Sequence, residues 1–380
     1  MLRIVFLFVV IINAIMHLRG LLRSFNISES HHLLQAILKM SGFLWFLVFI
    51  LFIIVLLLFL LKQNYWWITA ALAIILSLIL MIHNWSNAEL GRRIIVGIII
   101  LNLIIIFPVI SACASTLPSS FPNRYKSEVQ DRLEPLDNIP ILNETDIRHL
   151  PEPVKKYLNY TGAIGKPKVI NFRLEANGKM KRNEGSGWLD VTAEQYNFYN
   201  DYARFFYIKS SLYGIPFDGL HKYVGNKATM QIKIASLITV VDAKGKEMDQ
   251  SDTVTFFNDM CVFAPATLID KNIQWEQVDS LTVNAKFTNQ DIEINATLYF
   301  NEKGEMVNFV TDYRYLSEDG DKYKKYKWST PVRNYKDFNG RKIPTYGEAI
   351  WHTPDGDFTY FKLDLKDIKY NVEKYYGVNA

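Results

Sequence analysis

Two clusters of acids are the first residues whose type and spacing could do chemistry: Asp242, Glu247, Asp249 and Asp252, then Glu318, Asp319 and Asp321. Paired carboxylates can pass protons or hold a hard cation, which raises a carboxylate-dependent hydrolase as one reading. Their setting weakens it. Each cluster falls at an expected turn or helix start, where acids satisfy first-turn amides and face water. Asp319-Gly320-Asp321 lacks the remainder of a calcium loop. The chain contains no Gly-x-Ser-x-Gly elbow, no phosphate-cradling glycine loop and no His-Glu-x-x-His. His31 and His32 stand in a loop without a Cys or carboxylate cluster, and Cys113 and Cys261 are the only cysteines. That implies no metal, no cofactor and no disulfide framework. Cys261, beside Phe256, Phe257 and Phe263, reads as a small buried apolar residue. A formal net charge of +4 over 380 residues, with no basic block, argues against nucleic-acid binding.

Aromatic residues offer a different chemistry. Trp188, Phe205, Tyr207, Trp275, Phe309, Trp328 and Trp351 recur in segments of period two, with Phe257 and Phe263 in a helical insertion. Taken together they are the expected lining of a concave sheet, although any one of them could simply fill a core. Such a lining holds an apolar guest without catalysis, because each buried methylene gains about 0.8 kcal/mol. Arg204 and Arg314 are the candidate head-group contacts if they sit at the rim; otherwise they are exposed strand arginines.

These residues need elements to position them, and the chain divides sharply near its first third. Four apolar runs, Leu2–Leu22, Leu44–Leu61, Trp66–Ile82 and Ile94–Ile110, are each long enough to cross a hydrocarbon core. The first lacks a small-residue cleavage site and is interrupted by His17 and Arg19, so it reads as a retained span rather than a signal peptide. Trp66, Trp67 and Trp85 read as interfacial anchors. Arg19 at the end of the first run is joined by Arg23 and Lys39 in the loop after it, and Arg92 and Arg93 follow the third, whereas only Lys62 follows the second. Retention of basic loops in the cytoplasm then places both termini outside, with Arg3 a mild counter-signal. Asn13, His17 and Asn102 fall inside spans, and helix–helix hydrogen bonding is their expected use. Ile110-Ser111-Ala112-Cys113 has the form of a lipobox, which makes Cys113 a candidate lipidation site in an unusual position.

The expected organisation is a four-helix membrane region over 1–113, an extended proline-bearing tether over 114–143, and a β domain over 144–375. The β domain opens with a helix that Thr145 or Asp146 could cap and that shows Val154, Tyr157 and Leu158 on one face. Period-two segments follow: Val169–Lys181, Gly187–Phe198, Arg204–Tyr213, Gly219–Val224 and Ala228–Val241. A helical insertion over 248–270 interrupts them, with Val254, Phe257 and Cys261 on one stripe. Strands resume at Ile273-Gln274-Trp275 and continue through Leu281–Phe287, Ile292–Phe300, Met306–Tyr315, Tyr323–Tyr335, Arg341–Trp351 and Phe358–Tyr370. About a dozen antiparallel strands cannot stay flat, so the expected fold is α+β, an open half-barrel with a helical plug.

Several motifs occur in order. They are Leu150-Pro-Glu-Pro-Val-Lys-Lys-Tyr-Leu158, Phe263-Ala-Pro-Ala-Thr-Leu268 leading to Trp275-Glu276, Phe300-Asn-Glu-Lys-Gly304, Tyr313-Arg314 and Gly340-Arg-Lys-Ile-Pro344 with Trp351. Over roughly 145–372 they resemble a bacterial domain family of unknown function, a resemblance that implies no activity. The order helix, sheet, helix, sheet is also similar to the LolA/LolB-type lipoprotein carriers, in architecture only. The expected protein is a non-catalytic binding domain for a lipid, acyl chain or lipoprotein, tethered outside a bacterial inner membrane among membrane lipids. A sensor or assembly module acting through a membrane-protein partner is the alternative.

Overall fold

A computed structural model describes residues 2–25, 32–85, 92–317 and 322–377. The chain forms two compact units, one helical up to Ser120 and one β-rich from Phe121.

The first unit holds α1 (Leu2–Phe25), α2 (His32–Leu60), α3 (Trp66–His83) and α4 (Arg92–Thr116). All four are long and apolar enough to cross a membrane. Their outer faces carry Ile4, Phe8, Leu57 and Ile82, while Val10, Phe52, Ala73 and Ile98 fill the centre. Apolar residues on both sides fit helices able to cross a membrane. Trp66 packs against Phe6 and Phe59, with centroids at 5.2 Å in each case.

The stretch 114–143, expected as an extended tether, is helical over much of its first half. After α4 comes α5 (Phe121–Gln130), whose Phe121, Tyr125 and Val129 lie buried at every fourth position. Pro122 sits in its first turn, where no amide donor is needed. The prolines hid an apolar stripe, and the second unit therefore begins earlier than expected.

The leading helix is α6 (Glu152–Tyr160), burying Val154, Tyr157 and Leu158. Pro151 precedes it with no side-chain cap. The expected caps are otherwise engaged: Asn143 Oδ1 accepts from the amides of Thr145 and Asp146, closing a separate turn.

One antiparallel sheet makes up the rest. Its first half is β1 (Asn171–Met180), β2 (Leu189–Phe198), β3 (Ala203–Leu212), β4 (Ile215–Val224), β5 (Lys227–Ile234) and β6 (Ile238–Lys244). Next come α7 (Lys246–Phe263) and a short turn, Pro265–Thr267. The second half is β7 (Ile273–Gln277), β8 (Thr282–Asn289), β9 (Ile292–Phe300), β10 (Met306–Leu316), β11 (Lys324–Ser329), β12 (Val332–Phe338), β13 (Arg341–Thr353) and β14 (Gly356–Tyr370). The strand order is β6-β5-β4-β3-β2-β1-β14-β13-β11-β10-β9-β8-β7, with β12 paired only to β13. The first and last strands thus meet at the centre, and α7 links the two edges. Thirteen strands laid flat would span about 58 Å, and an 18-residue helix spans about 27 Å. Because α7 touches β5 and β6 as well as β9, β10 and β13, the sheet must curl around it. The expected half-barrel with a helical plug is what forms.

Two expected strands split. Ala228–Val241 becomes β5 and β6, turning through Ala235 and Ser236 at φ of 52° and 59°. No glycine or asparagine marks that turn, which is why the sequence reads straight through it. Tyr323–Tyr335 becomes β11 and β12, parted at Thr330-Pro331, where proline withholds a ladder donor.

Candidate binding face

Helix α7 lies in the concave face and is buried on all sides. From Met248 to Phe263 only Gln250 is more than slightly exposed. The expected single stripe of Val254, Phe257 and Cys261 is therefore only part of the packing. Polar side chains inside must find partners, and most of them do. Asp249 takes the Ala228 amide at 2.7 Å and Lys227 at 2.9 Å. Asp252 takes His221 Nε2 at 2.5 Å. Thr253 meets the Tyr223 hydroxyl, Asn258 donates to Thr330, and the Ser251 hydroxyl accepts the Tyr315 amide. Asp259 Oδ2 accepts from Gln195 (2.7 Å), Asn197 (3.2 Å) and Arg204 Nε (2.8 Å). An acid in the second half of a helix gains nothing from the macrodipole, so Asp259 is placed to meet Arg204.

The acids that raised a hydrolase therefore go separate ways. Asp249 and Asp252 fasten α7, Asp242 accepts from Gln231, and Glu247 is exposed. Among the described residues no three His, Cys, Asp or Glu side chains converge. Glu318, Asp319, Asp321 and His31 lie outside the described residues.

Alternation along the strands sorts the expected lining. In β3, Arg204, Phe206 and Ile208 face α7, while Phe205 and Tyr207 face the opposite way, under α5. Tyr207 stacks on Tyr125 at 5.4 Å and Phe205 meets Phe198 edge-on at 6.2 Å. Both belong to a second core on the convex side. Trp188 also leaves the concave face. It lies between the ammonium groups of Lys181 (4.9 Å) and Lys362 (4.8 Å), and Lys362 registers opposite Lys179 and Glu348, away from α7. The other aromatics lie close to one another around α7. Phe257 contacts Phe309 (5.7 Å) and Trp275 (6.4 Å), Phe309 contacts Trp328 (6.3 Å), and Trp328 pairs in register with Trp351. Phe263 meets Phe172 at 6.0 Å.

Neither arginine is a plain exposed strand residue. Arg204 is 7% exposed and ion-paired. Arg314 is half-buried, with its guanidinium 4.1 Å over Trp328 and 5.5 Å from Trp351, and Nη1 donating to the Tyr360 hydroxyl at 3.1 Å. Its Nε is buried with no hydrogen-bond partner.

Beyond α7 the concave face stays partly open. Met180, Phe206, Met230, Ile232, Phe361 and Leu363 are half-buried there, and the rings of Phe206 and Phe361 stand 6.4 Å apart. Between them the floor is low: Ala176, Gly178 and Ala193 occupy the same face. A Cβ on Gly178 would come within 2.6 Å of the Lys362 carbonyl, so the backbone there approaches too closely for a side chain. Of this run the sequence reading named none. The available signal was parity: with Arg204 inward, Phe206 follows and Phe205 does not.

Three other arrangements stand apart from this face. On the convex side a groove of about 580 Å³ is lined mainly by polar residues, among them Glu128, Asp131, Arg132 and Asp201. Across β11, β13 and β14, Ser329 Oγ meets His352 Nε2 at 2.8 Å and His352 Nδ1 meets Asp357 at 2.6 Å. The order of atoms is that of a nucleophile, base and orienting acid. The surroundings differ: Ser329 is 3% exposed in a strand paired on both sides, so the backbone donors around it serve the ladder rather than an oxyanion. In the helical unit, Asn13 donates to Asn102 (2.7 Å), Asn102 to Ser77 (2.8 Å), and Ser77 meets His17 Nε2 (2.9 Å). His17 Nδ1 returns to the Asn13 carbonyl at 2.8 Å. Asn13, His17 and Asn102 thus join helices as expected, with Ser77 the unforeseen member.

A curled antiparallel half-barrel with a polar-anchored helix laid inside it is the class of domain these features define. Residues 140–363 match the model described as a family of unknown function (DUF6544), and the chain belongs to that family. No curated protein matches. Among solved structures the chain is similar to a LolA superfamily protein from Nitrosomonas europaea, at 10% identity and a TM-score of 0.33, over 57% of this chain and 93% of that one. It is also similar to a DUF1329 family protein from Desulfovibrio piger, at 13% identity and a TM-score of 0.33, over 58% and 92%.

Proposed function

We propose that the β-rich unit binds an acyl chain, a lipid or another apolar group on the open part of its concave face, without catalysis. The four apolar helices hold it at a membrane. The observation that carries this reading is the half-buried run from Met180 and Phe206 to Phe361 and Leu363 over a floor of small residues. A chain burying about eight methylenes there gains roughly 6 kcal/mol before ordering losses, enough for reversible binding. The Lys and Arg gathered where α1 ends and α2 begins (Arg19, Arg23, Lys39) and at the start of α4 (Arg92, Arg93) support a bacterial inner-membrane placement with this unit outside the cytoplasm.

Full-length protein in phosphatidylcholine nanodiscs, irradiated with a diazirine-bearing fatty acid, tests the binding. Adducts on peptides containing Met180, Phe206 or Phe361 are expected. Labelling confined to the apolar helices would end the proposal. Protease added to intact spheroplasts should digest the β-rich unit; protection there, with digestion only in inverted vesicles, reverses the orientation.

A second reading draws on α7, which already fills much of the cup. Under it the protein is a sensor or assembly module, and crosslinking in cells recovers a membrane partner in fixed stoichiometry. A partner recovered together with an unlabelled concave face would favour this reading over ligand binding.

A further inference from the structure

Two guanidinium groups on the concave face, Arg204 and Arg314, are in opposite electrostatic states. Arg204 is neutralised: Nε donates to Asp259 Oδ2 at 2.8 Å, Nη2 donates to Gln195 Oε1 at 3.2 Å, and the pair fastens α7 to the sheet. Arg314 has no carboxylate within ion-pair distance among the described residues. Its one polar partner there is the neutral Tyr360 hydroxyl, reached through Nη1. Stacking over Trp328 fixes the plane of the group, since a cation is attracted to the face of an indole. With Nη1 engaged and the plane fixed, the Nε–Nη2 edge remains, and Nε is buried without a partner. That edge is the one that receives a carboxylate or phosphate with two parallel hydrogen bonds.

Its surroundings are continuous with the open apolar run. Tyr360 stacks on Trp351 at 5.9 Å, Phe358 registers opposite Trp351, and the next residues of β14 on this face are Phe361 and Leu363. A ligand whose oxyanion meets Arg314 can therefore lay its chain along Phe361, Leu363 and Phe206 without a break. Building on the binding reading above, we infer that the ligand is an anionic amphiphile, one oxyanion on an acyl chain, and that Arg314 is the residue that selects it. The oxyanion is a carboxylate or a phosphate; both offer two acceptors to the same edge.

The test uses full-length protein in phosphatidylcholine nanodiscs and two diazirine probes, a long-chain fatty acid and its methyl ester. The native chain should prefer the acid about tenfold or more, the gain of a charge-assisted pair. Arg314→Gln should abolish that preference while still binding the ester, and Arg314→Lys should keep part of it. Arg333→Gln, on a surface pair with Glu348, should leave the preference unchanged. Each variant is checked for folding by its resistance to protease, and Arg314→Lys reports even if Arg314→Gln does not fold. Unlabelled lysophosphatidate should compete with the acid probe, and inorganic phosphate alone should not. Equal labelling by acid and ester in the native chain, or an undiminished preference in Arg314→Gln, overturns the assignment and leaves the binding reading standing. Competition by inorganic phosphate as strong as by lysophosphatidate overturns the amphiphile. Failure of both probes to label the face removes the binding reading itself.

Discussion

Replacing Asp259 by Ala should be among the most damaging changes available in the β-rich unit. Its carboxylate is 6% exposed and its partner Arg204 7%, so neither is rescued by water when the other is lost. Removing one member of such a pair costs about 3–5 kcal/mol, because a charge is left in a poorly solvated site. Arg204 Nη1 already lacks a partner, and Asn197 loses its acceptor as well, which places the cost toward the upper end. Gln195 keeps a second acceptor in Asn197 Oδ1 and adds little. Taking a urea dependence of about 3 kcal/mol per molar, the midpoint should fall by roughly 1.3–1.7 M. Pulse proteolysis of the full chain in nanodiscs reads that midpoint. The exposed pair Lys286–Glu293 is the control, and its disruption should cost under about 1 kcal/mol. The joint change Arg204→Met with Asp259→Leu removes both charges, and should cost less than Asp259→Ala alone. If the joint variant is as unstable as the single one, or if Asp259→Ala costs no more than the surface control, the electrostatic account of α7 is wrong.

Acid should weaken the unit through Glu305. The hydrogen bond from Tyr160 holds that carboxyl below its usual range, and burial raises the Tyr160 hydroxyl to about 12. A lowered folded-state value means stability present above the unfolded value of about 4.3 and lost as pH falls through the folded one. Urea midpoints measured from about pH 7 down to about pH 3 should drop, and Tyr160→Phe should flatten part of that drop. Burial pushes the Cys261 thiol up, so maleimide should reach it only after unfolding, as followed by intact-mass shifts. A fluorophosphonate probe should leave Ser329 unmodified, since no oxyanion donors face it. Labelling lost in Ser329→Ala would establish a hydrolytic site and contradict the non-catalytic reading.

The sequence made the architecture legible because hydrophobic period is a strong signal, and the shift from long apolar runs to alternation is abrupt. Its misses have specific causes. The Ala235-Ser236 turn uses left-handed backbone without the residues that usually mark it, so two strands looked like one. α5 hid behind prolines that sit harmlessly in or outside its first turn. α7 defeated the amphipathic test because polar side chains point inward all around it and are matched individually by strand residues far away in sequence. The candidate face was half legible. Choosing aromatics by type gathered Phe257, Phe309, Trp328 and Trp351, which the fold brings together, yet naming Arg204 together with Phe205 violated alternation, since neighbours on a strand cannot share a face. Obeying parity would have replaced Phe205 and Tyr207 with Phe206 and Ile208. That Arg204 is neutralised and Arg314 is not depends on which residues α7 brings across the cup, and no local pattern records that.

The closed circuit of Asn13, Asn102, Ser77 and His17 has a mechanical meaning. It runs in one direction only, since the Asn13 carbonyl can receive but never give, and it stitches α1, α3 and α4 while taking nothing from α2. Against His17, α2 presents the rings of Trp45 and Phe52, a contact of packing rather than hydrogen bonding. Three of the four apolar helices are thus keyed to one another at fixed rotation by hydrogen bonds, and the fourth is held by packing.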